Sequence, residues 1–449
     1  MTTVASRLRA LAEHAGLRRY FFNTSWMMAE QILRLLAGLA IGIYVARFLG
    51  PTRYGLYSYA IAFSGIFAAL AKLGLETVVV RDIVNRPERR RLIVGTAFWM
   101  KVAGGIGTFL IIVLVLPWTG NDATTNLYIL IVAAGIIFQA FEIIDFYFQA
   151  VVQAKYSSIC KIVQIAVSSV VKLVLIALQA DLVWFVAVVL LDQITLAATY
   201  AFAGWRRKFL ADLAAFDPAT AKRLLRDCWP LIISGVAIIL YMRIDQVMIK
   251  AMLGETEVGI YSAAVRLAEI VYFVPMILAA SLFPRMVAAR QTSDAAFREA
   301  TLTLLEAMMI LALATAIPLF LLSDWIVWLL FGPAFHGAGA VLRVNAWASI
   351  FVFSGIVAQQ WTITQNQLWQ PMIKALAGAA ANILLNLILI PRMGIVGAAV
   401  ATLVSQAFAS VALNLAFRGT RPLFALQARA MVMPGFHSAA LIFLGRRTA

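Results

Sequence analysis

Long apolar stretches follow one another along almost the entire chain, with short polar gaps between them. A helix needs about 20 mostly apolar residues to cross a bilayer. Since only helices and closed barrels satisfy their backbone groups in lipid, and these runs do not alternate as barrel strands do, they predict helices. The expected spans, about twelve in number, are 24–47, 57–78, 93–117, 126–150, 158–179, 182–203, 229–250, 259–284, 302–322, 339–363, 370–390 and 395–417.

Composition supports lipid as the solvent. Of the 449 residues, 63% are hydrophobic and only 13% are charged, against about 25% charged in soluble domains. A soluble fold of this composition could not cover its surface with polar groups. The net charge of +16 is carried by basic residues at helix ends and within helices, without a basic arm, so we expect no nucleic-acid partner.

The distribution of Lys and Arg orients the helices. With the N-terminus in the cytoplasm, about twenty-five basic residues fall in inside segments and about four in outside segments. The C-terminus is then cytoplasmic as well. The expected divisions are an arm 1–21, a first lobe of six helices 22–203, a basic connecting loop 204–227, a second lobe of six helices 228–418 and an interfacial tail 419–449. Residues 323–338 are expected at the outer interface, too short to span.

A short motif occurs twice, after the first helix of each six-helix block. The first copy spans 49–60 and the second spans 253–264. The shared residues Leu49, Gly50, Thr52, Gly55, Tyr57, Ser58 and Ala60 recur as Leu253, Gly254, Thr256, Gly259, Tyr261, Ser262 and Ala264. Residues that are common in turns could produce part of this match by chance. Its length without a gap favours duplication into two halves related by an axis along the membrane normal, an arrangement common in transporters.

No catalytic or metal-binding motif is present. The histidines His14, His336 and His437 are scattered, and neither a Walker loop nor a nucleophile elbow occurs. Cys160 and Cys228 have no metal-ligand spacing and are interpreted as packing residues. The sequence therefore predicts a protein that is not an enzyme and binds no cofactor or metal.

Ionisable residues inside the predicted helices are the candidates for function, because such residues are costly in lipid and usually face a bundle interior or a wet cavity. Three pairs could neutralise themselves along one helix face: Glu30–Arg34, Lys72–Glu76 and Arg266–Glu269. Lys101 and Lys374 are close enough to helix ends to reach the interface. The candidates for a cationic, substrate-binding cavity are Arg34, Lys72, Lys172, Arg243, Arg266 and Arg343.

The cationic cavity has a structural alternative. Lys172, Arg243 and Arg343 have no acidic residue three or four positions away, so each could instead form an interhelical ion pair that holds the bundle together. Taken together, basic side chains from both halves favour a cavity that attracts a phosphate or an acidic sugar. Intramembrane carboxylates can carry a proton or a sodium ion, and Glu30, Asp145 and Asp245 are the candidates for coupling.

An ordered series of loose motifs resembles the polysaccharide-biosynthesis branch of the multidrug/oligosaccharidyl-lipid/polysaccharide flippase superfamily. The motifs are 23–26, 47–55, 241–245, 253–264, 331–335 and 390–402. The resemblance implies a V-shaped bundle of six plus six helices like that of the superfamily's multidrug exporters. It also implies transport of an undecaprenyl-diphosphate-linked oligosaccharide across the bacterial cytoplasmic membrane, with a polysaccharide polymerase and a chain-length regulator as candidate partners.

Two other functions stay open at this point. A cation-coupled multidrug exporter has the same fold, although the excess of intramembrane bases disfavours a cationic drug. A membrane-bound glycan polymerase or ligase belongs to a different class, and we would expect it to need a sizeable outer loop, which this sequence lacks.

Overall fold

The computed structural model describes residues 15–365, 367 and 369–435, which are helical almost throughout and contain no strand. The main helices are α1 (Ala15–Lys72), α2 (Leu75–Asn85), α3 (Arg90–Val115), α4 (Ala123–Phe138), α5 (Ile143–Ala150), α6 (Ala154–Ala177), α7 (Leu182–Arg206), α8 (Pro218–Leu253), α9 (Glu255–Val271), α10 (Phe273–Thr292), α11 (Asp294–Phe331), α12 (Ala338–Thr364), α13 (Trp369–Ser410) and α14 (Arg421–Val432). The predicted all-α fold is confirmed.

Within the part of the chain that the structure describes, ten helical stretches are long and apolar enough to cross a membrane. The two longest, Ser25–Asn85 and Trp369–Leu415, have 61 and 47 residues, room for two crossings each at about 20 residues per crossing. Each is interrupted at a glycine in the left-handed region, Gly50 at φ 68° and Gly394 at φ 60°. Residues with a Cβ avoid that conformation, so these glycines mark where one span ends and the next begins. The protein is thus a multi-pass membrane protein, and its described residues provide about twelve spans.

Contacts divide the chain into two compact units. One comprises the described residues up to Phe48 together with Phe63–Val236, and the other comprises Leu49–Ala62 together with the described residues from Ala237 onward. The segment that carries the first copy of the repeated motif therefore packs with the second unit.

In the first unit, the basic connection between the predicted lobes is packed against α3. A Cβ on Gly95 would lie 2.1 Å from the carbonyl oxygen of Ala215, so only glycine permits this approach. The Thr96 hydroxyl accepts a hydrogen bond from the backbone N–H of Asp217 at 3.0 Å. The hydroxyl and backbone N–H of Thr220 donate to the Asp217 carboxylate at the start of α8 and hold the pKa of that carboxyl below its usual value.

The second unit has its own core, in which Phe297 and Trp361 stack at 4.5 Å. Helix α14 packs on this core through Leu423, Gln427 and Ala430. Its 12 residues extend only about 18 Å at 1.5 Å per residue, which is too short to cross a bilayer.

The segment predicted at the outer interface is joined to the preceding span. Residues 323–331 continue helix α11 to Phe331, and the helix ends at Gly332, whose φ is 85°. Trp325 and Trp328 are exposed on it. The remainder of the predicted interfacial segment is a single turn at Pro333–Phe335, followed by the start of α12.

Candidate functional site

A buried carboxylate in the second unit is surrounded by neutral hydrogen-bond donors. Asp245 on α8 is only 3% exposed. Its carboxylate accepts hydrogen bonds from the Tyr261 hydroxyl at 2.7 Å, the Asn386 amide at 2.6 Å and the Thr402 hydroxyl at 2.5 Å. Among the described residues, no Lys or Arg nitrogen lies within 4.0 Å of it. The Asp245 carboxylate is therefore stabilised only by neutral hydrogen-bond donors. Burying a charge without a charged partner costs free energy.

Two buried oxygens beside Asp245 have no hydrogen-bond partner among the described residues. They are the Tyr241 hydroxyl, which lies in a pocket shared with Asp245, and the amide oxygen of Asn386. Buried polar groups are almost always satisfied by protein, water or a ligand. Neutral oxygens beside a carboxylate that has no basic partner are the ligands that a hard cation prefers.

A small pocket opens next to this carboxylate. It has a volume of about 50 Å³ and is lined by Asp245, Tyr261, Glu269, Thr402 and other polar and apolar side chains of the second unit. One water needs about 10–15 Å³, so the pocket has room for a small ion and a few waters. The described residues contain no cluster of three or more His, Cys, Asp or Glu side chains that could hold a metal.

The other two carboxylates predicted for coupling are neutralised by basic partners. Glu30 accepts from Arg34 Nε at 2.8 Å, one turn along α1, as the spacing predicts. Asp145 lies 2.8 Å from the Lys161 ammonium. A carboxylate with a fixed cation beside it has less electrostatic attraction for a mobile one, so the structure distinguishes Asp245 from Glu30 and Asp145.

Three basic candidates have acidic partners on neighbouring helices, as the structural alternative predicts. Lys172 on α6 lies 3.5 Å from Asp192 on α7 and also donates to the Ser168 hydroxyl at 2.8 Å. Arg343 pairs with Asp324.

Arg243 on α8 lies 3.4 Å from Glu269 on α9. Its contact is long for a charge-assisted hydrogen bond, which is usually about 2.7–2.9 Å.

The remaining candidates differ from one another. Arg34 is half-exposed beside Glu30, and Arg266 on α9 interacts with Tyr54 and with the charge of Glu269. Lys72 is exposed, and no ion pair with Glu76 forms within the described residues. Helix α1 ends at Lys72, and Leu73 and Gly74 both have positive φ. The two side chains therefore do not share the helix face that the i,i+4 spacing assumes.

Two lysines expected to reach the interface are buried instead. Lys101 is 2% exposed, donates to Glu142 at 2.7 Å and lies 5.1 Å from the centre of the Phe146 ring. Lys374 is 8% exposed and donates to the Asn414 amide oxygen. Packing of the neighbouring helices, which the sequence does not reveal, closes over both side chains.

Sequence reasoning identified Asp245 but missed the residues that bind it. Tyr261 lies on α9, whereas Asn386 and Thr402 lie on α13, on opposite sides of the break at Gly394. The available signal was the pair Asn382 and Asn386, two amides one turn apart in the apolar helix α13. Such amides are costly in lipid and indicate a polar interior.

Comparison with known proteins decides the family. The model for "Polysaccharide biosynthesis protein" matches residues 21–290, more than half of the chain. The chain belongs to this family. A curated relative, the probable low-salt glycan biosynthesis flippase Agl15 of Haloferax volcanii, is 26% identical over 181 residues, which make up 40% of this chain and 38% of that relative. The match thus spans well under half of that protein's length.

Solved structures share the fold at low sequence identity. An inward-facing multidrug resistance MATE family transporter of the MOP superfamily aligns with a TM-score of 0.71 at 15% identity, covering 93% of this chain and 96% of that one. The lipid II flippase MurJ in an inward closed conformation aligns with a TM-score of 0.70 at 13% identity, covering 96% and 94%. The predicted family and fold are confirmed, and the matched proteins are named as flippases and transporters rather than enzymes.

Proposed function

We propose that this protein is a flippase that moves an undecaprenyl-diphosphate-linked oligosaccharide from the inner to the outer leaflet of the bacterial cytoplasmic membrane, for the synthesis of a surface polysaccharide. Family membership carries the proposal, because the family is described as polysaccharide biosynthesis protein and one relative is named a probable glycan biosynthesis flippase. Alternating access moves the substrate, while the carrier's hydrocarbon tail stays in the bilayer.

Basic side chains within the helices bind the diphosphate in this proposal. The strongest candidate is Arg243, which keeps 32% of its side-chain surface exposed and holds Glu269 only at 3.4 Å. A phosphate offers a guanidinium shorter, bidentate hydrogen bonds than this contact. Arg34, Lys72, Lys172, Arg266 and Arg343 are the further candidates from the sequence.

In the same proposal, a small monovalent cation binds at Asp245 and is coupled to the transport cycle. The pocket supplies one buried carboxylate, Asp245, and the neutral oxygens of Tyr241, Tyr261 and Thr402. Oxygen ligands suit hard cations, and a single formal charge balances a monovalent ion better than a divalent one. Sodium is the ion we expect.

A cation-coupled multidrug exporter is the second candidate, because the MATE and MurJ folds align equally well. The intramembrane basic side chains disfavour it, since a cationic drug would be repelled. In such an exporter, a cationic drug would pair with the carboxylate of Asp245 or Glu269.

The decisive experiment is carried out in cells. The gene is deleted, and undecaprenyl-linked glycans are extracted from spheroplasts with and without prior treatment with a membrane-impermeant glycan oxidant. We expect completed repeat units to accumulate in an oxidant-resistant, inward-facing pool. Wild-type protein should clear the pool, whereas Arg243→Gln should not.

Arg392→Gln is the matched control, because Arg392 is an exposed arginine of α13 with no acidic partner within 4.0 Å in the described part of the chain. It should clear the pool as the wild type does. Normal glycan lipids in the deletion strain, together with altered tolerance to cationic drugs, would reject the flippase and support the exporter.

A further inference from the structure

Glu269 belongs to two interactions at once. Both of its carboxylate oxygens face Arg243, with Nη1–Oε1 and Nη2–Oε2 distances of 3.4 Å. The same side chain lines the pocket next to Asp245. One glutamate thus connects the basic residue proposed for the diphosphate with the pocket proposed for the cation.

The net charge around the pocket depends on whether Arg243 is paired with Glu269. The pocket lining contains two carboxylates, Asp245 and Glu269, and three tyrosines, Tyr241, Tyr261 and Tyr272. Arg243 neutralises Glu269 from outside the lining. Arg266 also acts on Glu269 electrostatically, but it hydrogen-bonds with Tyr54.

The Arg243–Glu269 pair is suited to exchange. Both side chains keep about a third of their surface exposed, 32% and 28%, so neither is locked by packing. A diphosphate carries more charge than one carboxylate and accepts two parallel hydrogen bonds from a guanidinium. Arg243 therefore interacts more strongly with the diphosphate than with Glu269.

We propose that Glu269 couples the two ligands: when Arg243 engages the diphosphate, Glu269 loses its partner, adds its negative charge to the Asp245 pocket and tightens the binding of sodium there. The inference rests on the proposed function. Linkage requires the converse as well, so sodium in the pocket draws Glu269 away from Arg243 and strengthens diphosphate binding by the same factor. Glu269 is a positioning residue for the substrate, acting through Arg243.

The test measures sodium binding by the full-length protein in nanodiscs of neutral lipid, in a choline buffer. Sodium chloride is titrated with and without undecaprenyl diphosphate as the probe, and the thermal midpoint reports the affinity because a ligand of the folded state raises it. Couplings between sites are typically 5- to 150-fold. We expect the sodium dissociation constant of the wild type to fall about tenfold when the diphosphate is present.

Two variants should change the coupling in opposite ways. Glu269→Gln should bind sodium with the same affinity whether or not the diphosphate is present. Arg243→Gln should bind sodium tightly from the start, as the wild type does only with the diphosphate, and should show no further change. A purely structural role would weaken sodium binding in both variants. Glu257→Gln, on the same helix α9, is the control and should behave as the wild type.

The outcomes distinguish a failure of this inference from a failure of the proposed function. Coupling that persists in Glu269→Gln, or weaker sodium binding in Arg243→Gln, overturns the role of Glu269. Undecaprenyl diphosphate that binds no variant, the wild type included, overturns the flippase proposal itself. Sodium binding that survives Asp245→Asn places the cation elsewhere and overturns the coupling through this pocket.

Discussion

The hydroxyl oxygens of Thr52 and Thr256 lie 2.8 Å apart, and the two residues occupy the same position in the two copies of the repeated motif. Gly55 and Gly259, which also occupy the same position in the two copies, make matching contacts with the opposite copy. A Cβ on Gly55 would lie 1.8 Å from the carbonyl oxygen of Glu255, and a Cβ on Gly259 would lie 1.9 Å from that of Pro51. The duplicated segment thus packs against its own copy with a local two-fold relation, which turn residues alone would not produce.

Alanine at either glycine should separate the two segments. The added methyl group collides with backbone, which has nowhere to move, and such overpacking costs about 1–3 kcal/mol. We expect Gly55→Ala and Gly259→Ala to lower the thermal midpoint of the purified protein. Gly65→Ala is the matched control in the same helix, because no atom lies within 4 Å of its added Cβ. Equal midpoints for all three variants would contradict the close crossing.

The Thr402 hydroxyl should contribute directly to the cation site. Thr402→Val removes a hydrogen bond to Asp245 while keeping the shape of the side chain. In the proposed site, the Thr402 hydroxyl oxygen is a sodium ligand that valine cannot replace, so we expect sodium affinity to fall about tenfold or more, the effect of losing one interaction with a charged group. Thr315→Val is the control, since the Thr315 hydroxyl only bonds the backbone of its own helix. Unchanged sodium dependence in Thr402→Val would remove this residue from the site.

Lys172 tests whether a basic candidate binds substrate or only holds helices together. Lys172→Gln leaves the Asp192 carboxylate uncompensated and should cost about 1–3 kcal/mol, less than a fully buried pair would, because the two side chains keep 16% and 18% exposure. The double variant Lys172→Gln/Asp192→Asn should regain stability in thermal unfolding. Glycan export that stays absent in this stable double variant assigns Lys172 to the substrate, whereas restored export assigns it to structure.

The N-terminal cap of α4 should show a pH-dependent contribution. The Asp122 carboxylate accepts hydrogen bonds from the Thr125 hydroxyl and from the backbone N–H groups of Thr124 and Thr125, which lower its pKa. A lowered folded-state pKa stabilises the protein above the unfolded value near 3.8, and this contribution is lost as the pH falls through the folded value. Asp122→Ala should therefore cost about 1 kcal/mol at pH 7.

The difference between Asp122→Ala and the wild type should shrink once the carboxyl is protonated, in thermal unfolding measured from pH 7 to pH 3. A difference that stays constant across this range would show that the carboxylate does not act through its charge.

Much of the fold follows from the sequence because lipid imposes a local rule. A chain that cannot bond to water must form helices of a certain length, so apolar runs such as 158–179 and 182–203 match α6 and α7 closely. Gly50 and Gly394 also separate spans where the predicted runs break. The continuation of α11 to Phe331 was not predicted, because hydropathy does not reveal how far a helix extends beyond an apolar run.

The sequence by itself determined the membrane-spanning helices, the duplicated motif and the set of ionisable residues inside the bilayer, since each depends on residues close together in the chain. Only the tertiary structure decided which partners those ionisable residues have. Lys172 and Arg243 acquire acidic partners from other helices, and Asp245 acquires neutral donors as many as 157 positions away. Hydrogen bonds and ion pairs act over a few ångströms in space, so which carboxylate is neutralised and which stays open to a cation depends on how the helices pack.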